Sequence, residues 1–294
     1  MANSVGLTFL GFGEAAQAFC EGWGATPPAR LRAYDRKTDR PTSAEAKRQD
    51  YARYRIDGRD TSASAVEGAD AAISVVTADQ ALAVARDVAP RLSKGALYLD
   101  MNSVAPETKR QAAAAIVVAG GRYVDVAVMA PVHPALLGVP LLVAGPDAEE
   151  GRRLLTSLGF RARIVGDTVG TASAIKMIRS IMIKGIEALT AECILSAYAA
   201  GVEDEVFASL DASFPGFDWR TRANYNLDRM IVHGQRRAEE MKEAAATAEH
   251  LGQTGAMAGA TVGWQARIGD LQIAPPNELD AKVDVILRAT RPHS

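Results

Sequence analysis

The run Val5-Gly6-Leu7-Thr8-Phe9-Leu10-Gly11-Phe12-Gly13-Glu14-Ala15-Ala16 decides the fold. An apolar, strand-like segment feeds directly into Gly-x-Gly-x-x-Ala, and a helix-compatible segment follows from Ala15 to Trp23. That order of strand, glycine turn and helix start is what a dinucleotide pyrophosphate requires. Gly11 permits the tight turn, Gly13 lets the backbone approach the phosphates, and Ala16 keeps helix and strand in close contact. The helix start then offers free N–H groups and a partial positive charge to the anion. A bare glycine turn would carry little weight. Here a second strand-like run, from Arg30 to Tyr34, ends at Asp35, 22 residues after Gly13. That is the spacing of an acid on the adenosine ribose.

The residues expected to line a nicotinamide dinucleotide are Gly11, Phe12, Gly13, Glu14, Ala15, Asp35 and Arg36, with Thr77 and Asn102 at later strand ends. Asp35 would accept hydrogen bonds from the ribose hydroxyls and repel a 2′-phosphate, which favours NAD. Arg36 and Lys37 follow at once and leave NADP open.

Working outward, strand-like runs recur at Leu31–Tyr34, Ala71–Val76, Ala96–Leu99, Tyr123–Val128, Pro140–Val143 and Arg161–Val165. Helical patterns lie between several of them, at Ala78–Leu92, Pro106–Ala119 and Asp147–Leu158. Such alternation predicts α/β architecture, a Rossmann-type doubly wound sheet covered by helices. After Gly170 the character changes. One long helical pattern runs from Thr171 to Ala200, and everything beyond reads helical, with breaks at Phe214–Phe217 and Gly252–Gly255. Pro275-Pro276 should end one helix and Asn277 cap the last. The expected division is therefore a dinucleotide-binding domain over 1–168 and an all-α domain over 169–294. The pair Arg236-Arg237, beside Glu239-Glu240, is expected on a solvated helix face.

Composition narrows the function class. The chain has 294 residues, 48% hydrophobic and 23% charged, with a net charge of −2. That is a globular balance with nothing to recruit nucleic acid or an anionic membrane. Two cysteines, Cys20 and Cys193, allow no disulfide framework and no zinc spacing, so no metal is expected. The N-terminus enters the first strand directly, no apolar run reaches membrane-spanning length, and a cytoplasmic setting is expected.

Two segments could carry chemistry. Asp100-Met101-Asn102-Ser103-Val104-Ala105-Pro106 follows a strand, where ligands bind in doubly wound sheets. Asn102 and Ser103 suit a nicotinamide or a substrate carboxylate, although Ser103 before Pro106 also has the look of a helix N-cap. In Gly170–Ser180, Lys176 interrupts an apolar helical stretch. By helical spacing Lys176, Arg179, Ser180 and Glu187 form one polar stripe, which would equally serve as a structural ion-pair face.

Together these motifs resemble the β-hydroxyacid dehydrogenase superfamily, which includes 3-hydroxyisobutyrate and 6-phosphogluconate dehydrogenases. Gly11, Gly13 and Ala16 match its glycine turn. Asp100, Asn102, Ser103 and Pro106 match its substrate loop, and Gly170 with Lys176 matches its catalytic helix. The C-terminal part is similar to a phosphogluconate dehydrogenase-like branch. The resemblance implies hydride transfer between the cofactor and a small anionic β-hydroxy acid, with Lys176 as general acid/base. Asn102, Ser103, His133, Arg179 and Ser180 become the candidate substrate contacts, and a homodimer is expected. The chain departs from the family where Met129-Ala130-Pro131-Val132-His133 replaces a Ser-Gly-Gly run, and where Arg179 replaces Asn or His. An imine reductase-like enzyme and a non-catalytic dinucleotide-binding scaffold are the alternatives. Lys176 argues against both, because both groups usually lack it.

Overall fold

The computed structural model describes residues 6–25 and 30–290; Val5, expected to open the first strand, lies outside them. Two compact units emerge, Met1–Met177 and Ile178–Ser294.

In the first unit the described strands are β1 (Gly6–Leu10), β2 (Arg30–Tyr34), β3 (Asp57–Gly58), β4 (Ala71–Ser74), β5 (Leu97–Asp100), β6 (Arg122–Val128), β7 (Pro140–Ala144) and β8 (Arg161–Gly166). They form one sheet in the order β3-β2-β1-β4-β5-β6-β7-β8. All neighbours are parallel except β6 and β7, so the last two strands run against the rest. The order reverses between β1 and β4, and in such sheets ligands bind beyond the strand C-termini at that switch point. The helices are α1 (Glu14–Trp23), α2 (Pro41–Arg53), α3 (Ser62–Val66), α4 (Ala81–Val88), α5 (Pro106–Val118) and α6 (Ala148–Ser157).

Central strands buried on both faces read as continuous apolar runs, and β4 is buried at all its positions. One layer is an aromatic cluster. Phe9 and Phe12 meet at 6.1 Å, Phe12 and Tyr51 at 5.2 Å, and Phe19 and Phe160 at 4.8 Å. Each such ring taken from water contributes roughly 1.5–3 kcal/mol. The other layer centres on Tyr98 and Tyr123 of the sheet with Ile116 of α5, and residues of α4 such as Ala85 and Val88 join them. Cys20 lies inside, and burial pushes its thiol up to about 12, so it stays protonated at neutral pH.

The long helix α7 (Thr171–Ala200) spans the predicted range. It is followed by α8 (Glu203–Ser213), α9 (Trp219–His250), α10 (Ala256–Gly269) and α11 (Leu279–Thr290). The predicted breaks at Phe214–Phe217 and Gly252–Gly255 fall between these helices. Two expectations need correction. The final helix starts at Leu279, where the Glu278 carbonyl takes the Lys282 N–H, so Asn277 sits one residue too early to cap it. Arg237 is buried rather than solvated, because the Glu187 carboxylate receives it, while Arg236 is exposed. No described helix is long and apolar enough to cross a membrane.

Candidate active site

The glycine turn has the shape its sequence implies. Gly11 has φ +85°, and a Cβ there would lie 2.8 Å from the Val75 carbonyl oxygen, so only glycine fits. Gly13 is the N-cap of α1 and no side chain caps the helix. The first N–H groups of a helix have no intrahelical acceptor, and a helix start of this kind is where an anion can be received. A Cβ on Gly13 would meet nothing within 4 Å. The turn therefore presents bare backbone to open space at a helix start, which fits a pyrophosphate.

Phe12 plays a different part from its neighbours. Its ring is buried, its N–H donates to Asp35 Oδ2 at 2.8 Å, and its carbonyl accepts from Lys47 Nζ at 2.7 Å and Gln17 Nε2 at 3.2 Å. Phe12 thus fixes the shape of the turn from both sides. Asp35 Oδ1 takes the Lys37 N–H at 2.9 Å, so both carboxylate oxygens of Asp35 are held by backbone while lone pairs remain for ribose hydroxyls. Thr77 and Arg36 come together at Asp79. The Thr77 hydrogen bond holds that carboxyl below its ordinary value, and the Arg36 charge adds to the effect.

The loop after β5 is organised by Asn102. Its Oδ1 accepts the Val76 N–H at 2.7 Å and its Nδ2 donates to Ser74 Oγ at 2.9 Å. This buried amide ties the ends of β4 and β5 together. Ser103 is not the cap of α5, because that helix starts at Pro106 with Ala105 before it. The Ser103 hydroxyl instead accepts from Lys176 Nζ, across 73 residues of sequence. Lys176 and Ser103 are both half-buried.

The remaining candidates do not join this pair. His133 has 47% of its side chain exposed and lies 3.9 Å from Glu21, on the last turns of α1. In the second unit Arg179 is exposed, and Glu187, its expected structural partner, is taken by Arg237 and Gln265. Ser180 is buried with its hydroxyl 3.4 Å from Lys184 Nζ.

Sequence reasoning missed three residues that shape the site: Lys47 behind the glycine turn, and Lys109 and Asp125 behind the Ser103 loop. Asp125 left a signal, a carboxylate inside the apolar strand Tyr123–Val128, where a charge survives only if paired. Neither lysine did, since each occupies an unremarked helical position.

Residues 7–166 match the family described as the NAD binding domain of 6-phosphogluconate dehydrogenase, and residues 197–268 match a domain of unknown function, DUF1932. A conserved hypothetical protein from Sinorhizobium meliloti 1021 is 41% identical, with 98% of this chain and 97% of that one covered and a TM-score of 0.75. A 3-hydroxyisobutyrate dehydrogenase of Mycobacterium tuberculosis, solved with L-serine, shares the fold at 17% identity, with 97% and 99% covered and a TM-score of 0.71. So does an imine reductase from Myxococcus stipitatus in complex with NADP+, at 20% identity, with 87% and 91% covered and a TM-score of 0.54.

Proposed function

The chain belongs to the β-hydroxyacid dehydrogenase superfamily, and from that premise we propose that it is an oxidoreductase moving a hydride between NAD and the carbinol carbon of a small β-hydroxy acid. The observation that carries this is the contact of Lys176 with Ser103. A lysine and a serine hydroxyl converge in the unit that also holds the glycine turn, where an alcohol can be oriented and deprotonated.

Bound nicotinamide supplies the hydride acceptor. In the oxidative direction Lys176 Nζ, as the free amine, takes the hydroxyl proton, and it returns that proton in reduction. Ser103 holds the alcohol oxygen in line with Nζ. Asn102 acts by fixing the loop, since its amide is already engaged. Arg179 offers an exposed guanidinium to the carboxylate. His133, turned to Glu21, takes no part.

The preference for NAD follows from how Asp35 is pinned. To admit a 2′-phosphate the carboxylate would have to move away, and that would release the Phe12 and Lys37 N–H groups. A cytoplasmic homodimer remains part of the proposal. Ile178, Met182 and Leu189 are exposed at helical spacing along the second unit's part of α7, which suits burial against a second copy.

The test is a screen of hydroxy acids with NAD and NADP, read by absorbance of the reduced nicotinamide. Oxidation of a β-hydroxy acid with NAD preferred is the expected result. Reduction of cyclic imines without any hydroxy-acid oxidation would overturn the assignment.

A further inference from the structure

Ser103 and Lys176 reach each other from separate segments, and a buried charge cluster lies behind both. Asp100 on β5 and Asp125 on β6 are register partners, and each is 0% exposed. Two carboxylates side by side in an apolar interior are costly unless countered. Lys109 on α5, also 0% exposed, counters them, with Nζ 3.0 Å from Asp100 Oδ1 and 3.4 Å from Asp125 Oδ1. The same ammonium donates to the carbonyls of Asp100 and Val126, so one charge clamps the ends of two strands.

Each carboxylate governs one partner of the Lys176–Ser103 pair. Asp100 Oδ1 accepts the Asn102 N–H at 2.9 Å, fixing the residue before Ser103. Asp125 Oδ2 accepts the N–H groups of Gly170 at 2.9 Å and Ser173 at 3.2 Å, at the start of α7. Ser173 Oγ also donates to the Val104 carbonyl, next to Ser103. Gly170 has φ +100°, and a Cβ there would sit 3.0 Å from Pro106, so glycine alone can aim this N–H at Asp125. Lys176 follows Ser173 by one helical turn, and helical side chains lean back toward the N-terminus.

We propose that Asp125 is a positioning residue for Lys176: its carboxylate, clamped by Lys109, anchors the first turn of α7 and thereby sets where Lys176 Nζ meets Ser103. Asp125 acts through Gly170 and Ser173. The role matters for catalysis only if Lys176 carries the proton, but the geometry can be tested without any substrate.

The experiment is amine-reactive labelling of the full chain without added ligand, with each lysine quantified by mass spectrometry. Exposed Lys37 and Lys94 serve as internal references. Ser103→Ala sets the rate for a Lys176 that has lost the Ser103 contact. Asp125→Ala leaves Lys109 paired with Asp100, and its Lys176 should label about five-fold faster than in the parent, the factor for one net hydrogen bond. Asp125→Asn keeps an oxygen for the α7 N–H groups and should restore a rate near that of the parent. Ser173→Ala cuts the tie to Val104 with charges intact, should raise the rate in the same direction, and serves if Asp125→Ala does not fold. A folded Asp125→Ala or Ser173→Ala with Lys176 labelled at the parent rate overturns the proposal. Absence of hydroxy-acid oxidation in the parent would overturn the assigned reaction and leave the labelling result standing.

Discussion

The two units bury their charges for different ends. In the first, Asp100, Lys109 and Asp125 lie under the loop and helix start that carry Ser103 and Lys176, and Lys47 props the glycine turn. In the second, Glu187 holds Arg237 and Gln265, and Lys184 holds Glu240, so buried charge joins α7 to α9 and α10. One set shapes the edge that carries the candidate site. The other fixes which helices meet.

If that contrast is right, substitutions in the two units should separate chemistry from stability. Lys176→Met should lower turnover by roughly two to four orders of magnitude, the usual loss for a general acid/base, with melting temperature and NAD affinity unchanged. Steady-state kinetics beside a cofactor titration checks this. A near-normal turnover would reassign the proton transfer.

Glu187→Gln should do the reverse. It leaves Arg237 buried without its counter-charge, a loss on the order of 3–5 kcal/mol. Urea unfolding should show that loss while NAD affinity holds. Equal stability of the two proteins would mean that α9 needs no charge to dock.

Asp35→Ser sharpens the contrast within the first unit. It removes the ribose acceptor and the acid that repels a 2′-phosphate, so NAD affinity should fall by about 1.5–3 kcal/mol while NADP affinity rises. Unchanged discrimination would shift selectivity to Arg36 and Lys37. The smallest effect belongs to Arg179→Met. An exposed guanidinium is screened, so its loss should raise KM only a few-fold, about 1 kcal/mol or less. No change in KM would remove Arg179 from substrate binding.

The same contrast explains what the sequence disclosed. The first unit announces itself through short-range devices: Gly11 and Gly13 in a turn, Asp35 at a strand end, Pro106 at a helix start. Each acts within a few residues, so its meaning survives in one dimension. The extent of α7 was equally legible, because a long apolar pattern without proline admits little else. The partners of its polar residues were not. Glu187 could as well have paired with Arg179 as with Arg237, 50 residues away, and helical spacing cannot choose between them. Lys109 looked like any helical lysine until β5 and β6 set two carboxylates beside it. Ser103 looked like a cap until α5 was found to start without it.

The central claim is that a dinucleotide phosphate rests on the bare backbone at Gly13. A Cβ there meets nothing in the protein within 4 Å, so Gly13→Ala should fold, at the small cost of a poorer N-cap, while its methyl obstructs a bound pyrophosphate. Titration of NADH into both proteins is the direct measurement. The account predicts saturable binding by the parent and a loss of about 1–3 kcal/mol in the variant, the range that overpacking imposes, with little change in melting temperature. Equal affinity in the two proteins, or a parent that binds neither NADH nor NADPH, would contradict it.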